Sequence, residues 1–354
     1  MDYNLVIFCS NMNFHFNIKK YLIVLAAAVV FLAIGLWAGY SWGFGQEKDV
    51  LDRKLNAIHP LRSNDANYKF INPLLLYMTP SADQQWGLVD MKNQVQKVID
   101  DQKKNNGLDN ASIFFQDLNH GRWMGINQND AYNPASMLKV VVMVSYLKES
   151  EVNPDILTKK LLYASTIENQ IQQDVYNQSS DLVVGQKYTV EDLIEKMIIT
   201  SDNGATFLLL DNINQTVLNS VYSELSIQGP QDMKGQFTIS PRYYSFFFRI
   251  LYSGTYLSKS NSEKALSILS NTTFKDGIIS GLPENIIVAH KYGQYVTHDD
   301  QQVSEIELHD CGIIYYPQNP YLLCIMTRGS NFETLKTTIK DISSVIWQQY
   351  SSSK

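Results

Sequence analysis

Apolar and polar positions change their period several times along this chain, and each change marks a different kind of element. Residues 21–40 carry no charge and are rich in Leu, Ile, Val, Ala and Phe. Their length matches the roughly 20 residues that a helix needs to cross a bilayer. They are apolar on every side, unlike the one-sided stripe of a core helix. A cleaved signal peptide usually has a shorter apolar region, and no clear Ala-x-Ala site follows. An uncleaved transmembrane anchor over 21–43 is therefore expected, after a short N-terminal segment, 1–20. Residues 44–87 read as a polar stalk broken by one apolar patch, 70–77, which should pack on the folded domain or on the membrane surface.

From 88 to 354 the pattern is that of one mixed domain. Val89, Met91, Val95, Val98 and Ile99 recur at helical spacing and predict a helix over 88–104. Strands at 112–118 and 122–126 flank a hairpin signal, Asn119-His-Gly121. A largely helical block fills 136–270, with helices at 138–149, 190–199, 205–213, 216–225 and 242–252. Three strands near 286–294, 304–316 and 321–327 follow, and an amphipathic helix over 332–350 closes the chain. Strands early and late in the sequence must share one sheet. The expected class is α+β: an antiparallel five-stranded sheet flanked by helices, with an inserted helical lobe and a cleft beside it.

Composition narrows the function. A net charge of −6 leaves no basic footprint, which argues against nucleic acid as a partner. The six histidines show no zinc-site spacing, so His298, His309 and the acids near them are expected at the surface, and no cofactor is expected. No phosphate-binding glycine loop and no Gly-x-Ser-x-Gly elbow occurs. Three cysteines do not make a disulfide framework. Cys311 and Cys324 fall on adjacent predicted strands, on one face but diagonal to each other. Two buried thiols are preferred there over a bridge.

Three short motifs carry the candidate chemistry: Ser136-Met-Leu-Lys139, Ser201-Asp202-Asn203 and Lys291-Tyr292-Gly293. Each has an ordinary structural reading alone, as a helix cap with a solvated lysine, an Asx turn, and strand residues. Asn133-Pro-Ala is a non-helical lead into an apolar run, so Ser136 should start a helix, where free N–H groups favour developing negative charge. Lys139 is one turn on, and a partly desolvated lysine can act as a general base. Ser201 would pass a proton to a leaving amine, Asn203 would bond a substrate amide, and Asp202 would hold the loop. Lys291 would anchor a substrate carboxylate and polarise Ser201. Gly293 would admit substrate backbone, and the Gln294 N–H would join that of Ser136 as an oxyanion hole. The boxes stand 65 and 90 residues apart, each at the edge of a predicted element.

With the boxes in this order, residues 90–350 resemble the class A β-lactamase-like serine hydrolases, within the penicillin-recognising serine enzymes. The stretch from Tyr188-Thr-Val-Glu-Asp-Leu-Ile to Ser201, the Ala289-His-Lys run and the closing helix add to the likeness. The resemblance implies an acyl-enzyme on Ser136, with a β-lactam or a cell-wall peptide as substrate and the domain outside the membrane. Flanking charges do not set that orientation, since Lys19 and Lys20 precede the anchor and Lys48, Arg53 and Lys54 follow it. Two departures stand out. The stretch 226–240, where the family places its deacylating Glu, has Asp232 as its only acid, and Glu224 lies too early, as a solvated helix charge. Tyr292 replaces the Thr or Ser of the third box. Three functions remain open: a β-lactamase, a peptidase or transpeptidase that deacylates slowly, and a non-enzymatic sensor of β-lactams or cell wall. The sequence sets no oligomeric state.

Overall fold

The computed structural model describes residues 61–62, 68–76, 88–164, 180–225, 237–299 and 302–352. The proposed anchor, most of the stalk and residues 226–236, Asp232 among them, lie outside the described residues. Among the described residues no helix is long and apolar enough to cross a membrane.

Helix α1, Val89–Asn105, turns Met91, Val95 and Ile99 inward at helical spacing, while Val89 is exposed. Strands β1, Leu108–Asp117, and β2, Trp123–Ile126, then pair with Ile113 opposite Ile126. Their turn is built by Asp117, whose carboxylate accepts the N–H groups of Asn119 and His120 and a bond from Arg122. Burial opposes the charge on Asp117, but bonds from His120 and Arg122 overcome it and hold the carboxyl well below its usual range.

The inserted lobe holds α2, Lys139–Ser150; α3, Val190–Ile199; α4, Asn203–Asn212; and α5, Gln215–Glu224. It continues through α6, Pro241–Ser253, and α7, Lys259–Leu269, which the apolar pattern did not single out. Helix α3 starts with a capping box in which Thr189 and Asp192 satisfy each other's backbone N–H. A short ribbon missed in the sequence pairs Lys160–Leu162 with Lys187–Thr189.

Strands β3, Val288–Asp299, β4, Gln302–Ile314, and β5, Tyr321–Gly329, complete the sheet before the closing helix α8, Phe332–Ser352. Among the described residues the sheet is five-stranded and antiparallel, in the order β2-β1-β5-β4-β3, so β3 is an edge strand. Strand β1 pairs with β5 over its whole length, which is how the first and last parts of the domain come together. One sheet face buries α1 and α8 through Met91, Val95, Leu335, Ile339 and Ile346. The other meets α6 and α7, and the largely buried helix α2 lies in the same core.

Two expectations change here. Of the two places open to the apolar patch of the stalk, Phe70 and Ile71 take the domain, in whose core both are buried. The Glu263 carboxylate accepts the backbone N–H groups of Lys69, Phe70 and Ile71, and the Tyr315 hydroxyl donates to the Phe70 carbonyl. The folded domain thus starts upstream of residue 88. Cys311 and Cys324 are bonded to each other as a disulfide rather than standing as free thiols. The six-residue connection pairs Ile314 with Tyr321, and that register sets Cys311 directly opposite Cys324 instead of diagonal.

Candidate active site

Ser136 sits in a single helical turn, Ala135–Leu138, that runs straight into α2. The turn is entered through Ala135 at φ 47°, a left-handed conformation that costs a β-carbon about 1–3 kcal/mol and persists only where the surroundings impose it. The Asn133 side chain accepts the Ala135 N–H at 2.9 Å. Asn133 is itself held from β4: its N–H donates to Glu307 Oε2 at 2.9 Å, and His309 Nε2 donates to its carbonyl at 3.0 Å. The Thr327 N–H donates to His309 Nδ1, so the two bonds together specify the neutral tautomer with its proton on Nε2. On the far side of the turn, the buried Tyr244 hydroxyl donates to the Met137 carbonyl at 2.9 Å.

Gly293 closes the third side. A β-carbon there would stand 2.5 Å from the Pro134 carbonyl oxygen and 2.8 Å from the Met137 side chain. The glycine of the third box is therefore required by the turn that carries Ser136.

Lys139, Ser201, Asn203 and Lys291 are drawn into one cluster, and Ser201 is its centre. Lys139 Nζ donates to Ser201 Oγ at 3.0 Å, to the Ser201 carbonyl at 2.6 Å and to Asn203 Oδ1 at 2.7 Å. Lys291 Nζ donates to the same Ser201 Oγ at 3.0 Å. Both lysines are buried, Lys291 completely. Burial, and then the nearby charge of Lys139, push the Lys291 ammonium well below the ordinary lysine value, with Asp310 offsetting part of the effect. Ser201 also holds a left-handed backbone, φ 60°. Asp202 fixes that bend by capping α4 through the Ala205 N–H and by accepting from the Ser180 hydroxyl and the Asp181 N–H.

Tyr292 lies against the Lys291 side of this cluster. Its ring is buried and stacks on Phe274, centroids 4.1 Å apart with planes 18° from parallel. The Lys291 ammonium lies 4.2 Å from the same ring. Gln294, next but one along the edge strand, is buried as well, and its side-chain oxygen has no partner among the described residues. Glu224 is exposed at the end of α5 and accepts a bond from the Tyr256 hydroxyl.

The residues that brace the site were not found in the sequence. His309 was expected at the surface, yet it is fully buried, as are Asp310 and, nearly so, Glu307. The His298 side chain lies outside the described residues. Burial opposes the charge on Glu307, but bonds from His309 and Arg328 win and lower its pKa. Alternation along the predicted strand was the available signal, since Glu307, His309 and Cys311 share one face. Tyr244 and Phe274 gave no signal, because each reaches the site from a distant part of the chain.

Residues 90–350 match a family model described as the Beta-lactamase enzyme family. No curated protein sequence matches the chain. Among solved structures, a PBP-A mutant in an acyl-enzyme complex with penicillin-G is 22% identical with a TM-score of 0.60, covering 75% of this chain and 97% of that one. The TLA-1 extended spectrum β-lactamase is 16% identical with a TM-score of 0.62, covering 75% and 99%. A β-lactamase from Chitinophaga pinensis is 17% identical with a TM-score of 0.61, covering 74% and 99%.

Proposed function

The chain belongs to the β-lactamase enzyme family, and from that premise we propose that it is a membrane-anchored serine hydrolase acylated on Ser136. The observation that carries the reading is the hydrogen bonding of Ser201. Its oxygen accepts from Lys139 and Lys291, which uses both lone pairs and leaves the O–H free to donate. A hydroxyl so arranged is a proton donor, and the atom that needs a proton in amide cleavage is the leaving nitrogen. Lys139 in its neutral form takes the proton of Ser136 as Oγ attacks the carbonyl carbon. The C–N bond then breaks as Ser201 protonates the nitrogen, and a lysine proton restores Ser201. The N–H groups of Ser136 and Gln294 receive the oxyanion, and Asn203 bonds the substrate amide beside Lys139.

A β-lactam is the substrate class the family suggests, and one PBP-A mutant is described as an acyl-enzyme with penicillin-G. A second reading, a slowly deacylating peptidase of cell-wall peptides, is favoured by the stretch 226–240, where Asp232 is the only acid to activate water. Anchoring rests on the apolar run 21–40, and the buried disulfide suits an oxidising compartment outside the membrane. Intact-mass spectrometry with penicillin over time tests all of this. A label that appears on Ser136 and decays indicates hydrolysis, and one that persists indicates the second reading. A protein that takes no label, or keeps it in Ser136→Ala, has another function.

A further inference from the structure

The third box is where a substrate carboxylate would meet positive charge, and in this protein that charge is covered. Lys291 has no exposed surface; its ammonium is spent on the Ser201 hydroxyl and the Tyr292 carbonyl, and it faces the Tyr292 ring at 4.2 Å. The ring is fixed in that place by its stack on Phe274. What the edge strand offers beside the ring is a neutral amide rather than a second cation. Gln294 lies on the same strand face by alternation, with a buried side-chain oxygen that lacks a partner among the described residues. Such an oxygen can accept the N–H of a neutral amide. On the neighbouring strand the residues opposite Tyr292 and Gln294 are Asp310 and Leu308, an acid and an apolar side chain. Asp310 is committed to His290 and to the Ile278 N–H.

We propose that the Tyr292–Phe274 stack and the Gln294 amide make the leaving-group side of the site a neutral subsite, selecting acyl donors whose leaving group carries no carboxylate. The inference rests on Ser136 as the nucleophile, as proposed above. The chemistry is otherwise unchanged: Ser136 Oγ bonds to the acyl carbon as the bond to the leaving nitrogen or oxygen breaks. The serine proton ends on that atom, and water later cleaves the acyl-serine. Uncharged peptide amides and neutral esters fit the subsite. A penicillin reacts through its strained ring without help from its carboxylate.

The test uses the full chain and two phenylacetylglycine esters, one of phenol and one of 3-hydroxybenzoic acid, each rate divided by that ester's hydrolysis rate in hydroxide. Wild type should favour the phenyl ester in kcat/KM by about tenfold, the scale of one charge-assisted hydrogen bond forgone. Tyr292→Thr should reduce that ratio by about tenfold, whereas Tyr292→Phe, which keeps the ring, should hold it within about threefold. A wild type that prefers the carboxylate ester overturns the neutral subsite, as does a ratio that Tyr292→Thr leaves unmoved. A fluorophosphonate probe of reactive serines separates the two levels. Labelled Ser136 with the wrong ester preference sinks the subsite alone. An unlabelled Ser136 with neither ester cleaved sinks the nucleophile and the subsite with it.

Discussion

Two lysine Nζ groups donate to one hydroxyl oxygen at Ser201, an arrangement that water would relax and that burial maintains. Its consequence is clearest at Lys291, whose pKa is lowered first by desolvation and then by Lys139. Unfolding returns Lys291 to about the ordinary lysine value of 10.5, so between the lowered value and that one the unfolded chain binds more protons. Stability must therefore rise with pH across this window. Below it the lysine is charged in both states and the full cost of burying the charge is present. Above it the cost is gone. Lys291→Met should remove this slope and raise the melting temperature most at the acidic end, while abolishing penicillin labelling of Ser136. A melting series against pH on both proteins reads the first effect. At the neighbouring position, Gly293→Ala should cost about 1–3 kcal/mol, since the new methyl must displace the Pro134 carbonyl and Met137. Because those atoms belong to the nucleophile's turn, its acylation rate should fall further than its stability suggests.

At the scale of elements, the domain is tied down by polar contacts across long sequence separations. The Glu263 carboxylate on α7 gathers three consecutive N–H groups from residues 69–71, placing Phe70 against Tyr315. Glu263→Ala should lower stability by about 1–3 kcal/mol, because those donors lose a charged acceptor. A chain starting at residue 88 should show a similar loss, and adding Glu263→Ala to it should change little more; urea denaturation of the set measures the coupling. Strand β4 does comparable work for the nucleophile. Glu307 and His309 hold both backbone groups of Asn133, and Asn133 holds Ala135 in its left-handed conformation. The helix cap, hairpin and capping-box signals that predicted the elements say nothing of such contacts, which is why elements were legible while their bracing was not.

For the whole molecule, the sheet joins the two ends of the domain, and the lobe between them supplies Lys139, Ser201 and Asn203 against Lys291 from the edge strand. The disulfide across β4 and β5 closes a short loop, 13 residues in separation, inside this sheet. Replacing both cysteines by alanine should cost about 3 kcal/mol on the loop-entropy scale, read as a lower urea midpoint, and leave the position of Ser136 intact.

The sequence by itself determined the class of fold and the order of its main elements, and it singled out Lys139, Ser201, Asn203 and Lys291, which the fold draws together. These follow from local periods and from three motifs whose chemistry requires particular side chains. Tertiary structure decided the rest. It set Cys311 directly opposite Cys324 instead of diagonal to it, and it buried His309, which local polarity had assigned to solvent. It gave Gly293 to the nucleophile's turn and Tyr292 to Phe274. Each of these depends on which surface the fold sets against a residue, and a residue's own type and spacing carry no information about that neighbour.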